Sequence, residues 1–417
     1  MSFARATIAG AGLAGLSAAV ALCEAGVAVA ISDAAAQAGG RCRSYDDPQL
    51  GLTIDNGNHL VLSGNPAVAR FRAAVGAATP LAGPDHADFA FRDLRDGRDW
   101  TIRINDGPLP WWVAARTRRV PGSGLREYLA LVRLLRDRNE RIDAHVAARG
   151  AAWDGLIRPV LLAALNTEPA ESSLRLAAAV LRETIARGGL ATRPRIAEPS
   201  LSAAFIDPAL AWLEGRGSAV RLARRLRAMT FDGERVVALD WGDGPEPVAV
   251  DEAVILAVPP WIAAGLVPGL SAPDEFRAIV NGHFACAPAA GRPAMLGLIG
   301  GTAEWVFAFP DRLSVTVSAA DRLVDRDREA LARIFWADIC AAHGLDAPMP
   351  RWQIVKEKRA TFAATPEQEA KRPPARTRWR NLFLAGDWID TGLPATIEGA
   401  LRSGEAAARL AIGAGAR

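Results

Sequence analysis

The sequence predicts an α/β fold: a Rossmann-like parallel sheet assembled from separated stretches of chain, hence discontinuous, with an α+β domain inserted between its parts. Three observations predict it. Gly10-Ala-Gly12-Leu-Ala-Gly15 lies between a short apolar run and a helical one, the order in which strand, tight turn and helix open a dinucleotide-binding unit. Far along the chain, Leu382-Phe-Leu-Ala385 reads as a buried strand ending in Gly386-Asp387 and followed by a helix. Between the two regions, alternating strand-like stretches mix with leucine-rich helical ones.

Taken in order, residues 6–9 form the first strand, 13–25 a helix ending at Gly26, and 27–32 the second strand. Residues 53–62 read as a further strand that contains His59. Residues 89–104 alternate as antiparallel strands, and 125–149 carry leucines at helical spacing among arginines. Helices are expected at about 153–166 and 172–187. Residues 219–226 also read as a helix, before a meander with strands at 235–241 and 247–258. Strands within 297–317, a helix at 325–343, a strand at 352–362 and a final helix at 397–412 complete the series. The nucleotide-binding domain therefore takes residues 1–85, 214–262 and 375–417, and the inserted domain takes 86–213 and 263–374.

Composition narrows the function classes. The 417 residues suffice for more than one domain, and 50% hydrophobic against 23% charged residues excludes a disordered chain. A net charge of +3 gives no bulk electrostatic reason to bind nucleic acid. Lys356, Lys358 and Lys371 are the only lysines among 49 basic residues. The four cysteines form no CxxC and the five histidines no HExxH, so neither a disulfide framework nor a metal site is expected. Free cysteines suit a reducing compartment, and a cytoplasmic location is expected. Residues 6–23 are uncharged, yet their glycines and the continuation into a second apolar run favour strand, turn, helix and strand over a signal peptide or membrane span.

The motifs carry the chemistry. In the first, Gly10 makes the tight turn, Gly12 lets the backbone approach a pyrophosphate, and Gly15 allows helix and strand to pack closely, with the phosphate against the helix N-terminus. Asp33, at the end of the second strand, can accept from ribose hydroxyls and disfavours a 2′-phosphate. Gly39-Gly40-Arg41 provides a second glycine loop, with a guanidinium as charge-assisted donor to the same pyrophosphate. Gly386-Asp387 places a carboxylate at the carboxyl edge of the sheet, and the helix starting near Ile397 aims its N–H groups into the same crevice.

Together these segments resemble the FAD-dependent amine oxidase and carotenoid desaturase superfamily. Within it, Asp55-Asn-Gly57-Asn58-His59, Phe205-Ile-Asp-Pro-Ala-Leu210, Glu357-Lys-Arg-Ala-Thr361-Phe and Gly392-Leu-Pro-Ala-Thr-Ile-Glu-Gly-Ala400 are similar to the squalene-associated FAD-dependent desaturases, also named hydroxysqualene dehydroxylases. The resemblance spans the chain and is most specific at the C-terminal motif. Asp33 departs from it, since the superfamily usually has Glu there; the shorter carboxylate can still reach a ribose.

The resemblance implies FAD as cofactor, held by the residues above together with Asn58, His59, Leu226, Thr396 and Ile397. It implies reduction of hydroxysqualene to squalene for hopanoid or sterol synthesis: the allylic hydroxyl leaves as water, and reduced flavin delivers hydride to the resulting cation. An isoprenoid is then the substrate, with NADPH or another reductant acting transiently, since only one dinucleotide fingerprint is present. His59 is the first candidate for a polar or acidic group beside the flavin, the alternative being a core histidine bonded to backbone. Asp390 is the second candidate; Asp207 and Glu168, beside prolines, read more readily as turn or cap residues.

Other readings remain open at this level. The same flavin fold runs oxidative desaturation of a linear isoprenoid, and a flavin-free isoprenoid carrier shares it, although the intact glycine and carboxylate set opposes the carrier. An amine oxidase is disfavoured, because only Tyr45 and Tyr128 could supply tyrosines to an aromatic cage. Finally, Trp111-Trp112 with Arg116, Arg118 and Arg119 reads either as a peripheral membrane patch or as a packed loop with solvated charges.

Overall fold

A computed structural model describes residues 3–413. Strand β1 (Arg5–Ala9) runs into the glycine turn and helix α1 (Leu13–Glu24), and β2 (Ala28–Ser32) returns beside β1. Three later segments extend this sheet: β3 (Val220–Arg221), β4 (Glu252–Leu256) and β5 (Leu382–Leu384). All its pairings are parallel, in the order β3-β2-β1-β4-β5. The carboxyl ends of β1, β2, β4 and β5 therefore open on one edge, where an open parallel sheet binds its ligands.

Strands β1, β4 and β5 of this sheet are covered on both faces: Ala6, Ile8, Ala253, Ile255 and Phe383 lie in the cluster with α1, and Ala9, Val254, Leu256, Leu382 and Leu384 in a second apolar cluster. Helix α2 (Ile397–Gly413) packs against α1 so closely that a Cβ on Gly404 would sit 2.2 Å from the Ala14 carbonyl oxygen. The Ser17 hydroxyl donates to Leu401 O across the same contact, at 2.9 Å. Asn381 ties the antiparallel meander 228–247 to the sheet: its side chain accepts from Val236 N at 2.9 Å and donates to Val236 O at 3.0 Å.

The inserted domain is built on a seven-stranded sheet, antiparallel except for one pair, whose strands lie within 87–104 and 276–362. Helix Arg328–His343 covers one face, its N-terminus capped by Asp327, which accepts from Ala330 N at 2.9 Å. Trp305, Phe307 and Phe309 point into the other face, toward the irregular helical region 111–187.

Several local expectations are corrected. Residues 219–226 are not helical: Val220 and Arg221 pair with Ile31 and Ser32 and the chain then turns at Ala223, φ +54°. The open edge of β2 outweighs a helical period only two turns long. Residues 125–149 hold a helix only at Leu125–Ala130, then 3-10 turns, because Leu129 faces solvent and Leu134 the core, leaving no continuous buried stripe. Residues 53–62 are not one strand: Leu52–Asp55 and Leu60–Leu62 flank a loop at Asn56-Gly-Asn-His59, residues suited to a turn. Residues 201–213, assigned from sequence to the inserted domain, pack instead into the cluster that holds α1.

Candidate active site

The first glycine motif divides its labour visibly. Gly10 has φ +108°, and a Cβ there would lie 2.3 Å from Ala257 O; a Cβ on Gly15 would lie 1.9 Å from Gly10 O. These two are required by packing of strand, turn and helix. Gly12 is different: a Cβ there would meet no protein atom within 4 Å and would project into open space over the start of α1. No side chain caps α1 and no acidic residue sits in its first turn, so its leading N–H groups and positive dipole end are free for an anion.

The second loop abuts the first. Gly39 N donates to Ala11 O at 2.8 Å, and a Cβ on Gly40 would be 3.5 Å from Gly12 Cα. Asp33 clamps the turn from the β2 side, accepting from Ala11 N at 2.7 Å and Ala35 N at 2.8 Å. The segment leading to Leu226 lies alongside, through Ala223 N to Ala35 O and Arg224 N to Asp33 O, both 2.8 Å. Leu226 itself is buried in apolar core.

Arg41 reaches across to the third segment. Its guanidinium pairs with Asp387 at 2.7 Å and donates to the Ala360 carbonyl. Asp387 follows Gly386, φ +149°, whose N–H is held by Ser403 Oγ at 2.8 Å. Pro259, Pro260, Trp261, Thr361, Phe362 and Trp388 line the cleft beside this pair. Thr396 caps α2 by accepting from Gly399 N at 3.0 Å, and Ile397, its first residue, is buried. Cys42, next to Arg41, is buried, and burial pushes its thiol up to about 12, favouring the neutral form.

Asn58 and His59 enter from the Asn56–His59 loop. Asn58 Nδ2 donates to Thr316 Oγ1 at 3.0 Å, while its buried Oδ1 has no partner. Among the described residues the His59 ring has no hydrogen-bond partner; the charges that act on it are those of Arg41 and Asp387. Its titration is depressed to about 4 by burial first and by the Arg41 charge second, with Asp387 opposing. Burial and the neighbouring guanidinium thus favour the neutral ring over the imidazolium.

Asp390 is exposed and accepts from Gly392 N at 3.2 Å within its own loop. Asp207 is exposed at the start of helix Asp207–Glu214, and Glu168 forms a two-point pair with Arg158 at 2.8 and 2.9 Å. Sequence reasoning missed Asn166, whose Nδ2 fixes Thr361 Oγ1 at 2.9 Å and whose Oδ1 accepts from Ala319 N at 2.7 Å. It also missed Glu304, which burial pushes up to about 7 despite a bond from Ser318 N at 2.8 Å. The Asn-Thr pair before Pro169 was a readable signal for the first; a lone Glu ahead of a strand gave none for the second.

The residues fit a dinucleotide flavin. The Gly12 cradle and the uncapped α1 abut the Gly39-Gly40 loop, whose next residue, Arg41, reaches Asp387 at the end of the third segment. Among the described residues no His, Cys, Asp and Glu cluster could hold a metal, and no helix is long and apolar enough to cross a membrane.

Comparison with known proteins agrees. The family model described as flavin containing amine oxidoreductase matches residues 13–412. The chain is 52% identical to hydroxysqualene dehydroxylase of Rhodopseudomonas palustris, covering 97% of this chain and 98% of that one. It is 50% identical to the protein of that name from Sinorhizobium fredii (97% of each) and 48% to that of Zymomonas mobilis (97% and 98%). In fold it is similar to cyclohexylamine oxidase from Brevibacterium oxydans, with TM-score 0.72 at 17% identity over 98% of each chain. Putrescine oxidase bound to putrescine is similar too, with TM-score 0.71 at 18% identity over 99% of each.

Proposed function

The chain belongs to the flavin-containing amine oxidoreductases and, among them, to the hydroxysqualene dehydroxylases, and from that premise we propose that it uses reduced FAD to convert hydroxysqualene to squalene. That it is a flavin-dependent oxidoreductase follows from the family itself. The specific reading is carried by one observation: nearly the whole chain matches relatives named for this reaction at 48–52% identity.

The overall change balances as alcohol plus a hydride and a proton giving hydrocarbon plus water. Bound and fully reduced, FAD would supply both, as FADH2 giving up a hydride and a proton and returning to oxidised FAD. The protein's part is to hold, orient and dry the site. The α1 N-terminus, the Gly12 backbone and Arg41 would hold the pyrophosphate, Asp33 the ribose, and Asp387 a ribityl hydroxyl through the oxygen that Arg41 leaves free. Trp388, Phe362 and Ile389 belong to an apolar cluster that excludes water as the allylic cation develops. His59, neutral and without a hydrogen-bond partner among the described residues, would orient the hydroxyl through its ring N–H; a standing imidazolium would oppose the nearby cation.

The test is anaerobic: photoreduced protein is mixed with hydroxysqualene and the products extracted. The expected result is squalene and reoxidised flavin. Bleaching of the oxidised protein by squalene, with a desaturated product, would instead make it an oxidative desaturase.

A further inference from the structure

We propose that residues 109–136 form a docking surface for an anionic phospholipid bilayer, because exposed aliphatic and tryptophan side chains there alternate with arginines that have no carboxylate partner among the described residues. Large apolar side chains stand out of this stretch: Leu109 is 78% exposed, Trp111 55%, Leu129 61% and Val132 59%, with Leu125 also exposed. They are held outward by inward anchors. Trp112, expected from sequence to share the patch, is buried with its ring 5.6 Å from Tyr128, and the Tyr128 hydroxyl accepts from Val120 N at 3.1 Å. The projecting residues thus belong to a packed scaffold.

Charge selects the partner. The stretch carries Arg116, Arg118, Arg119, Arg126, Arg133 and Arg136 against one carboxylate, Glu127. Glu127 is turned to the backbone, accepting from Gly124 N at 2.7 Å and Ala152 N at 2.9 Å. Among the described residues none of the six arginines is in an ion pair, whereas the surface arginines Arg103, Arg141 and Arg158 are paired with Asp88, Asp143 and Glu168. The Arg118 guanidinium lies 4.6 Å over the Trp111 ring, joining cation and interfacial aromatic in one unit. A nucleic-acid surface would not need exposed leucines and a valine. The combination fits the depth at which phosphates meet acyl chains. The apolar cluster beneath, with Trp112, Tyr128 and Leu134, continues to Trp388 and Ile389 beside Asp387. The inference rests on the proposed function only for the cargo, an isoprenoid that such a membrane would hold.

The experiment is flotation of the holoprotein with vesicles of phosphatidylcholine, with and without phosphatidylglycerol, with flavin absorbance read in each sample. Binding is expected on the anionic vesicles, falling with salt. Arg126→Ala/Arg133→Ala should lower the partition roughly 25-fold, taking about fivefold per arginine. Trp111→Ala/Leu129→Ala should lower it also at high salt. Leu109→Ser/Val132→Ser gives a second apolar pair should the first lose flavin. Equal partition onto neutral vesicles, or full binding retained by either class of variant, would overturn the proposal. So would preference for a single-stranded oligonucleotide, or self-association lost with Trp111→Ala in a protein that ignores vesicles. Flotation needs no turnover, so its failure would leave the proposed reaction standing.

Discussion

His59 is where the site's chemistry is most exposed to test. With its titration held at about 4, the ring is neutral throughout the physiological range, so its contribution is a hydrogen bond and not a charge. His59→Ala should keep flavin and slow single-turnover product formation by roughly 10²-fold, the low end of what a positioned donor contributes. The wild-type rate should show no inflection assignable to His59 between about pH 5.5 and pH 8; one near pH 6.5, absent in the variant, would restore the imidazolium. Stability carries its own pH signature. His59, His283 and His343 are depressed to about 4, 3 and 4 from an ordinary 6.5, chiefly by burial. Their stabilisation is complete above about pH 6.5 and is lost as pH falls toward 4. Glu304, raised from 4.5 to about 7, acts oppositely: its share is present below 4.5 and lost as pH rises through 7. The Tm of Glu304→Gln minus wild type should therefore grow from about pH 5 to about pH 8; a constant difference would contradict the buried-acid assignment. Legibility divides the same way. Gly12 and Asp387 were readable because they sit in motifs with mechanical roles. His59's neutrality and the surface position of Asp390 were not, because burial and a loop's own hydrogen bonds are set by distant chain.

At the scale of elements, the glycine turn separates folding from binding. Gly12→Ala adds a methyl that meets no protein atom, so fold and Tm of the apoprotein should persist while flavin content falls. Gly15→Ala would force a methyl 1.9 Å from Gly10 O and should destabilise the apoprotein itself. Circular dichroism melts with flavin absorbance decide it, and equal destabilisation by both would remove Gly12 from the cradle. The sequence announces this βαβ unit because local and tertiary preferences agree there. They disagree at 219–226, where the free edge of β2 captures Val220 and Arg221, and at 131–149, where leucines point in several directions and no helix is propagated.

For the whole molecule, the consequence of the topology is that the crevice exists only when residues 10–41, 382–403 and the 56–59 loop have come together. Cofactor binding is then linked to global folding: FAD at a hundredfold excess over its Kd should add about 2.7 kcal/mol. The increment should vanish in Gly12→Val, measured as the FAD-dependent rise in Tm. The central claim is that reduced flavin in this crevice passes hydride to the carbon that loses its hydroxyl. It is tested most directly by photoreducing the protein in D₂O, where the flavin N5 proton exchanges with solvent, and mixing it anaerobically with hydroxysqualene for a single turnover. The account predicts one squalene per flavin oxidised, with one deuterium on the former hydroxyl-bearing allylic system. Squalene without deuterium, or product formed without flavin oxidation, would contradict it.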